Sequence, residues 1–389
     1  MNTVFDRLEQ RRNWNEEELL VLTQVRRLAN EAIAPRAAGL DRAGAFPWDN
    51  VRAINELGLN ALFVPAAYGG APMRYRLYLA AVQAIAAACA STAIVYATTF
   101  HGMKPLIDFG TEEQRRRLLP RIAAGGLGAL AITEPEAGSD ATAMRTRLAP
   151  DGDHIVLDGG KQFITNGDVA DLLLVFGKWS EIDSPRAAIS AVILEKGTPG
   201  FRVLRTEEKM GHRASSTAAI AFEGCRIPRA NLLGAPGEGL RILLASLNRS
   251  RPSIAAHALG IAQAAFEDMV AYMNARRQSG RRVIDFQGNQ FTLADLATEL
   301  ALIEAWLDHV AALVEAGDGE FGLEASMLKL RASDLAMRMT TEAVQMHGGY
   351  GYCAEYRVER LMRDAKITQI WEGTNQVHRQ MIGRSFALR

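Results

Sequence analysis

The chain is poor in several features that would narrow its function at once. Only three cysteines occur in 389 residues, Cys89, Cys225 and Cys353. They lie far apart and fit neither a zinc spacing nor a redox pair. That excludes a disulfide scaffold and points to a reducing compartment, with a cytoplasmic location as the expectation. The seven histidines never fall in the i, i+4 pairs that seat a metal on a helix, so no metal is expected. Neither sign of charge is in excess, since 44 basic residues balance 44 acidic ones. No basic surplus calls for nucleic acid. The N-terminus lacks the basic-then-apolar run of a secretory signal. Asp6, Glu9 and Glu16 to Glu18 also argue against an acid-poor transit peptide.

Charge is missing altogether from Leu77 to Met103. That length could cross a bilayer. Gln83, Ser91, Thr92, Thr98, Thr99 and His101 interrupt it, so a buried helix is expected there and no membrane span. What is present is ordinary for a globular protein: 48% hydrophobic and 23% charged residues. The length calls for two or three structural units.

The first third has helical periodicity. Asn15 and Glu18 form a capping-box pattern ahead of Leu19, Leu22, Leu28 and Ile33, with Pro35 as the expected end. A short helix is expected after Pro47, and another with Thr111 as its N-cap. Near Gly125 the pattern changes. "GALAIT", "HIVLDGGKQFITNG", "DLLLVFGK", "AAISAVILEK" and "TAAIAFEGC" are short, β-branched and separated by Gly, Asp and Asn, as in a small β-barrel or sandwich. From about Gly234 the helical period returns in three long stretches, which make an antiparallel bundle. The expected fold is therefore α+β: an N-terminal helical domain (1–127), a middle β domain (128–234) and a C-terminal, four-helix-bundle-like domain (235–389).

Two glycine-containing runs stand out. "AITEPEAGSD" reads as a turn after a strand and "QMHGGYGY" as the C-cap of a helix. Neither is a G-x-G-x-x-G or G-x-x-x-x-G-K-[ST] loop, so a Rossmann or P-loop reading finds no support. "KQFITNG" alone is a hairpin edge. "NARRQSGRRVIDFQGNQF" is either a solvated loop or a phosphate clamp built from arginine forks. "QIWEGTNQ" sets one carboxylate, Glu372, between a large aromatic and a glycine.

Taken together and in order, "TEPEAGSD", "KQFITNG", "FQGNQFTLADLATEL", "QMHGGYGY" and "LMRDAKITQIWEGTNQ" resemble the acyl-CoA dehydrogenase family over nearly the whole chain. The resemblance implies an FAD between the β domain and the C-terminal helices. Leu130, Ile132, Thr133, Gly138 and Ser139 would meet the flavin. Phe163, Ile164 and Thr165 would cover the other side of its ring system, and Thr374 and Gln376 would also touch it. Arg276, Gln287, Gln345, Gly348 and Gly349 would hold the diphosphate and adenosine of an FAD belonging to a neighbouring subunit. That arrangement implies a homotetramer. Arg251 would sit near the CoA end, with Ser139, Asn248 and Gly373 also at the substrate. Glu372 would be the catalytic base. One branch of the family carries its base at the position of Ser250, and serine cannot serve. Phe163 and Trp371 stand where relatives often have Trp and Tyr, Ser279 where a Phe is common, and Asn248 where an acid is frequent.

The implied chemistry fits the residues. Taking two hydrogens from adjacent carbons of a thioester needs a base for the α proton and a hydride acceptor for the β hydrogen. No side chain accepts hydride. A carboxylate becomes strong enough as a base when burial beside an aromatic raises its pKa. The expectation is α,β-dehydrogenation of an uncharged short, branched or cyclic acyl-CoA in fatty acid metabolism, with an electron-transfer flavoprotein as acceptor. An enoyl-CoA reductase running the same step backwards, a flavin monooxygenase and a non-catalytic binding or assembly protein remain alternatives. A helix-capping role is the plain structural alternative for Glu372.

Overall fold

The computed structural model describes residues 4–387; the outermost ends of the expected first and third domains, 1–3 and 388–389, lie outside them. The first seven helices are α1 (Val4–Arg11), α2 (Glu16–Leu28), α3 (Ala34–Ala43), α4 (Trp48–Glu56), α5 (Tyr75–Ala88), α6 (Ala90–Phe109) and α7 (Glu112–Ala123). The Asn15–Glu18 capping box forms as expected, and Thr111 caps α7 with Gln114 completing a second box. Pro35 does not end its helix. A π-helical turn, Ala29–Ile33, carries α2 into α3, and Pro35 lies just after it at the start of α3.

The uncharged stretch is two helices rather than one. Cys89 adopts an extended conformation between them. Its N–H closes α5 on the Ile85 carbonyl, and its carbonyl opens α6 by accepting the Ala93 N–H. Neither Gly nor Pro marks that break. Sixteen of the twenty residues of α6 are buried, which is why it carries no charged face.

The β domain contains β1 (Gly128–Ala131), β2 (Arg147–Asp151), β3 (His154–Thr165), β4 (Leu172–Trp179), β5 (Ile189–Glu195), β6 (Phe201–Thr206), β7 (Thr217–Pro228) and β8 (Leu232–Leu233). They form one sheet in the order β6-β7-β3-β2-β4-β5-β8, with β1 parallel to β4. The short strands β2, β6 and β8 were not among the five expected. β6 is mostly exposed and lacks an alternating apolar pattern, and β2 contains Pro150. β3 is bent by two bulges, between Leu157 and Gly159 and between Lys161 and Ile164.

The third region contains α8 (Gly239–Ala275), α9 (Gln287–Glu315), α10 (Gly322–His347), α11 (Arg357–Thr368) and α12 (Asn375–Ser385). The arginine-rich connection between α8 and α9 folds as a tight hairpin, β9 (Arg277–Gln278) with β10 (Arg281–Arg282). The long helix α8 packs on α5, α6 and α10 and joins the first and third regions in one apolar core. α6 lies between that core and a second one. Its Ala93, Ile94 and Phe100 face the helices, while Met103 and Leu106 pack with Leu172, Leu174 and Phe176 of the sheet. No helix among the described residues is long and apolar enough to cross a membrane.

The crossing of α5 and α8 is a backbone contact. A Cβ added at Gly260 would lie 2.3 Å from the Gln83 carbonyl oxygen and 2.9 Å from the Ala86 Cβ. Gly260→Ala is therefore expected to push the two helices apart and lose about 1–3 kcal/mol, the usual penalty for overpacking. Denaturant unfolding of the FAD-loaded protein checks this, and an unchanged midpoint would show that the helices separate freely.

Candidate active site

The segment "QIWEGTNQ" is a loop between α11 and α12, closed by the Asn375 N–H on the Gln369 carbonyl. Glu372 takes a positive φ of 54° and Gly373 one of 92°. A non-glycine residue in that region is held there by its surroundings. The holding groups are visible. Lys329 of α10, fully buried, donates to the Gly373 carbonyl (2.7 Å) and to Asn375 Oδ1 (2.9 Å). The His378 Nε2–H donates to the Glu372 carbonyl at 3.2 Å. Asn375 is pinned in turn by Ser333 and Asp334.

Glu372 is not the helix cap. Thr374 is, its hydroxyl accepting the Val377 N–H. The Glu372 carboxylate instead accepts a 2.5 Å hydrogen bond from the Ser250 hydroxyl of α8 and forms no ion pair among the described residues. Burial pushes its pKa up, while Ser250, Arg251 and Lys329 pull it partly back. Burial also pushes the Lys329 ammonium down, to about 7. A buried carboxylate without a salt bridge is unfavourable for folding and marks a functional site.

Arg251, next along α8, is buried as well. Its Nη1 donates to Asn248 Oδ1 (2.9 Å) and Ser326 Oγ (3.2 Å), and its Nε has no partner among the described residues. A buried guanidinium donor left over beside Glu372 is an opening for an acceptor on a ligand. One turn further, Ser253 joins the Tyr78 hydroxyl (3.1 Å) and His101 Nε2 (2.9 Å). Tyr78 packs on Phe100 with ring centroids 4.4 Å apart and on Tyr75 at 5.9 Å. An aromatic wall thus stands beside the carboxylate. Of the three bulky residues in "AIVYATTFHGM", Phe100 and Tyr96 belong to this wall, whereas Met103 packs into the sheet.

The residues expected at a flavin fall in two places. Leu130 and Ile132 pack on the cluster that contains Leu243 of α8. The 132–134 segment is bound to β3 through Gln162 N–H to the Thr133 carbonyl (2.8 Å) and Lys161 Nζ to the Ile132 carbonyl (2.8 Å). Phe163 sits on the second bulge at φ 63°, with 62% of its surface exposed. Ile164 differs from its neighbours: its side chain is in the sheet core, so it offers only its backbone. The hydroxyls of Thr133, Ser139 and Thr165 make no hydrogen bond among the described residues, and a Cβ at Gly138 would meet nothing within 4 Å. An exposed ring, free hydroxyls and open backbone fit a flat heteroaromatic cofactor. Thr374 ends the Glu372 loop as the N-cap of α12, and Gln376 lies in the first turn of that helix.

Arg276, Gln345, Gly348 and Gly349 lie elsewhere. The Arg276 guanidinium is 5.6 Å from the Tyr350 ring, which joins the end of α8 to the end of α10, and Gln287 opens α9 just beyond the hairpin. From Ser250 to Arg276 is roughly 38 Å of helix at 1.5 Å per residue.

Sequence reading passed over several supporting groups. Glu134 and Lys161 stand inside quoted motifs, yet only the fold shows them as a buried pair, 2.8 Å apart, with Glu134 also accepting from Arg145 N–H and from Thr146. Lys329, Ser333 and His378 have no motif that would have found them.

The chain matches the models of the acyl-CoA dehydrogenase N-terminal domain (15–126), middle domain (129–225) and C-terminal domain (237–387). It is 42% identical over 372 residues to cyclohex-1-ene-1-carbonyl-CoA dehydrogenase of Geobacter metallireducens, covering 95% of this chain and 98% of that one. Among solved structures, butyryl-CoA dehydrogenase from Megasphaera elsdenii superposes with a TM-score of 0.93 at 37% identity, covering 96% and 98% of the two chains. A chain solved in work on the electron transferring flavoprotein of Acidaminococcus fermentans gives 0.94 at 40% identity, covering 97% and 99%. These relatives define an FAD-dependent oxidoreductase acting on CH–CH bonds. The chain belongs to the acyl-CoA dehydrogenase family.

The Ser250 hydrogen bond favours the charged form of Glu372. Ser250→Ala should therefore raise the pKa of the carboxyl further, so that its protonated form persists to higher pH. The carboxylic C=O infrared band, identified against Glu372→Gln, reports this; a band that titrates at the same or lower pH would show that the bond has no such effect.

Proposed function

We propose that this protein removes the α proton and β hydrogen of an uncharged short, branched or cyclic acyl-CoA, giving the 2-enoyl-CoA, with Glu372 as the base. The observation that carries this reading is the Glu372 carboxylate itself: buried, held by one hydroxyl, without a salt bridge, and beside a buried arginine with a donor to spare. A raised pKa puts a carboxylate closer to the working pH, where a general base is most effective.

The residues around it divide the work. Ser250 orients the carboxylate and keeps enough of it ionised. Lys329 and His378 hold the Gly373 and Glu372 carbonyls and so keep the base in its strained backbone position. The Glu372 backbone N–H is the donor expected at the thioester oxygen, where negative charge develops as the proton leaves. Arg251, Asn248, Ser139 and Gly373 are assigned to substrate. FAD, when bound, supplies the hydride acceptor, and the residues that would hold it are Leu130, Ile132, Thr133, Gly138, Ser139, Phe163, Ile164, Thr165, Thr374 and Gln376. Arg276 follows the last residue of α8, with Gln287 at the start of α9 and Gln345, Gly348 and Gly349 around the end of α10, and we assign these five to a different cofactor. That separation supports a homo-oligomer, a tetramer by family resemblance, in which they complete a neighbouring subunit's site. An electron-transfer flavoprotein as acceptor and a cytoplasmic location belong to the same reading.

The acyl end favours an uncharged group. From Ala93 to Met103 on α6, His101 is the one side chain that could carry a positive charge toward a second carboxylate. It is buried against Ser253, and burial pushes its pKa down to about 3, so it is neutral. A free carboxylate placed there would be buried without a counter-charge. Phe100, Tyr78 and Tyr75 supply the bulk that limits chain length.

Two outcomes are expected. Glu372→Gln keeps the fold and FAD but slows anaerobic flavin reduction by at least about a thousandfold, within the range for a positioned base. Near wild-type bleaching would put the base elsewhere. Steady-state rates with butyryl-, isobutyryl-, octanoyl- and glutaryl-CoA should favour the first two. A preference for glutaryl-CoA would overturn the charge argument, and one for octanoyl-CoA the size argument.

A further inference from the structure

Beside Trp371 two imidazoles meet. His212 lies in the loop between β6 and β7, and His257 on α8; both are fully buried. Their rings stack at 5.0 Å with an interplanar angle of 28°. Both meet the Trp371 indole nearly edge-on, at centroid distances of 5.1 and 5.5 Å. Three regions of the fold converge here: the β domain through His212, the start of α6 through the Ala90 carbonyl, and the bundle through α8 and α11.

The contacts fix the protons. His257 Nε2 is 3.0 Å from the Ala90 carbonyl oxygen and 3.2 Å from His212 Nε2. A carbonyl can only accept, so His257 carries its proton on Nε2. His212 Nε2 must then be the acceptor, and the His212 proton sits on Nδ1. That nitrogen has no hydrogen-bond partner among the described residues: Asp364 Oδ1 lies 3.8 Å from it and accepts the His212 backbone N–H at 2.5 Å. Both rings are neutral in this arrangement, and burial lowers the pKa of each, which keeps them so. His212 is held at φ 49°, and at Gly211 an added Cβ would lie 2.3 Å from the Arg363 carbonyl oxygen, so the loop is clamped onto α11.

We propose that His212 and His257 are positioning residues for Glu372: the hydrogen-bonded pair fixes the Trp371 indole, and the indole fixes the strained residue that follows it. Neither histidine touches Glu372, so the effect must pass through the tryptophan. The inference rests on Glu372 as the base. Its test therefore needs one readout that depends on the base and one that does not.

The experiment is a double-mutant cycle on the FAD-loaded enzyme. His257→Leu and His257→Gln are made in the wild-type and Trp371→Phe backgrounds, and anaerobic flavin reduction by butyryl-CoA is followed. In the wild-type background His257→Leu should lower the limiting rate of flavin reduction about tenfold with the half-saturating butyryl-CoA concentration changed less than about twofold, a modest loss beside the roughly hundredfold that a 1 Å misplacement can produce. His257→Gln, whose amide can still donate to the Ala90 carbonyl, should recover most of it. In the Trp371→Phe background the same His257→Leu change should matter less than about twofold, because residues acting in series are not additive. The second readout is the near-UV circular dichroism assigned to Trp371 by difference from Trp371→Phe. His257→Leu should diminish it whichever residue is the base. Equal effects of His257→Leu in the two backgrounds, or an unchanged Trp371 signal, would overturn the positioning role. If Glu372→Gln still reduces flavin while the Trp371 signal responds as described, the base assignment fails and the packing role stands.

Discussion

The site depends on keeping one carboxylate buried without a full counter-charge. A salt bridge from Lys329 or Arg251 to Glu372 would stabilise the fold, and it would also leave the carboxylate too weak a base. The chain avoids this by giving both cations other acceptors. Lys329 is committed to two carbonyl-type oxygens of the same loop, and Arg251 to Asn248 and Ser326. Their charge is felt by Glu372 but not spent on it. Ser250 supplies the single direct hydrogen bond. The unfavourable burial is offset by the packing of the surrounding helices.

That packing is organised by α8. One stretch of this helix carries Ser250 and Arg251 at the carboxylate and Ser253 at the aromatic wall, with His257 beside Trp371 one turn on. Its close approach to α5 at Gly260 brings Tyr75 and Tyr78 into line with that stretch. The loop from α11 to α12 is then held from three sides, by α8, by Lys329 of α10 and by the β6–β7 loop. Glu372 can occupy a positive φ because these contacts over-determine it.

Legibility from sequence followed the same division. The order of helical, β and helical regions was readable because periodicity changes sharply near Gly125 and again near Gly234. The break at Cys89 was not, since an apolar residue in an extended conformation leaves no mark on composition. The continuation past Pro35 was not, because a π turn has no sequence signal. Glu372 was legible as an isolated carboxylate beside an aromatic, and the family resemblance added its role. Its partners were not legible. Lys329 and His378 lie in ordinary helical stretches, and only the fold brings them to the loop; the position of Ser250 was known from the resemblance, but not its hydrogen bond to Glu372. Ile164 shows the converse: its motif placed it at the flavin, and the strand's alternation turned its side chain into the core.

The central claim is that a buried Glu372 takes the α proton. The most direct measurement is single-turnover flavin reduction by butyryl-CoA and by its α-dideuterated form, across pH, in the FAD-loaded wild-type protein. The account predicts a slower rate for the deuterated thioester and a rate that falls as pH drops through the raised pKa of Glu372. Equal rates for the two substrates, or a rate that is flat or rises toward acid, would contradict it.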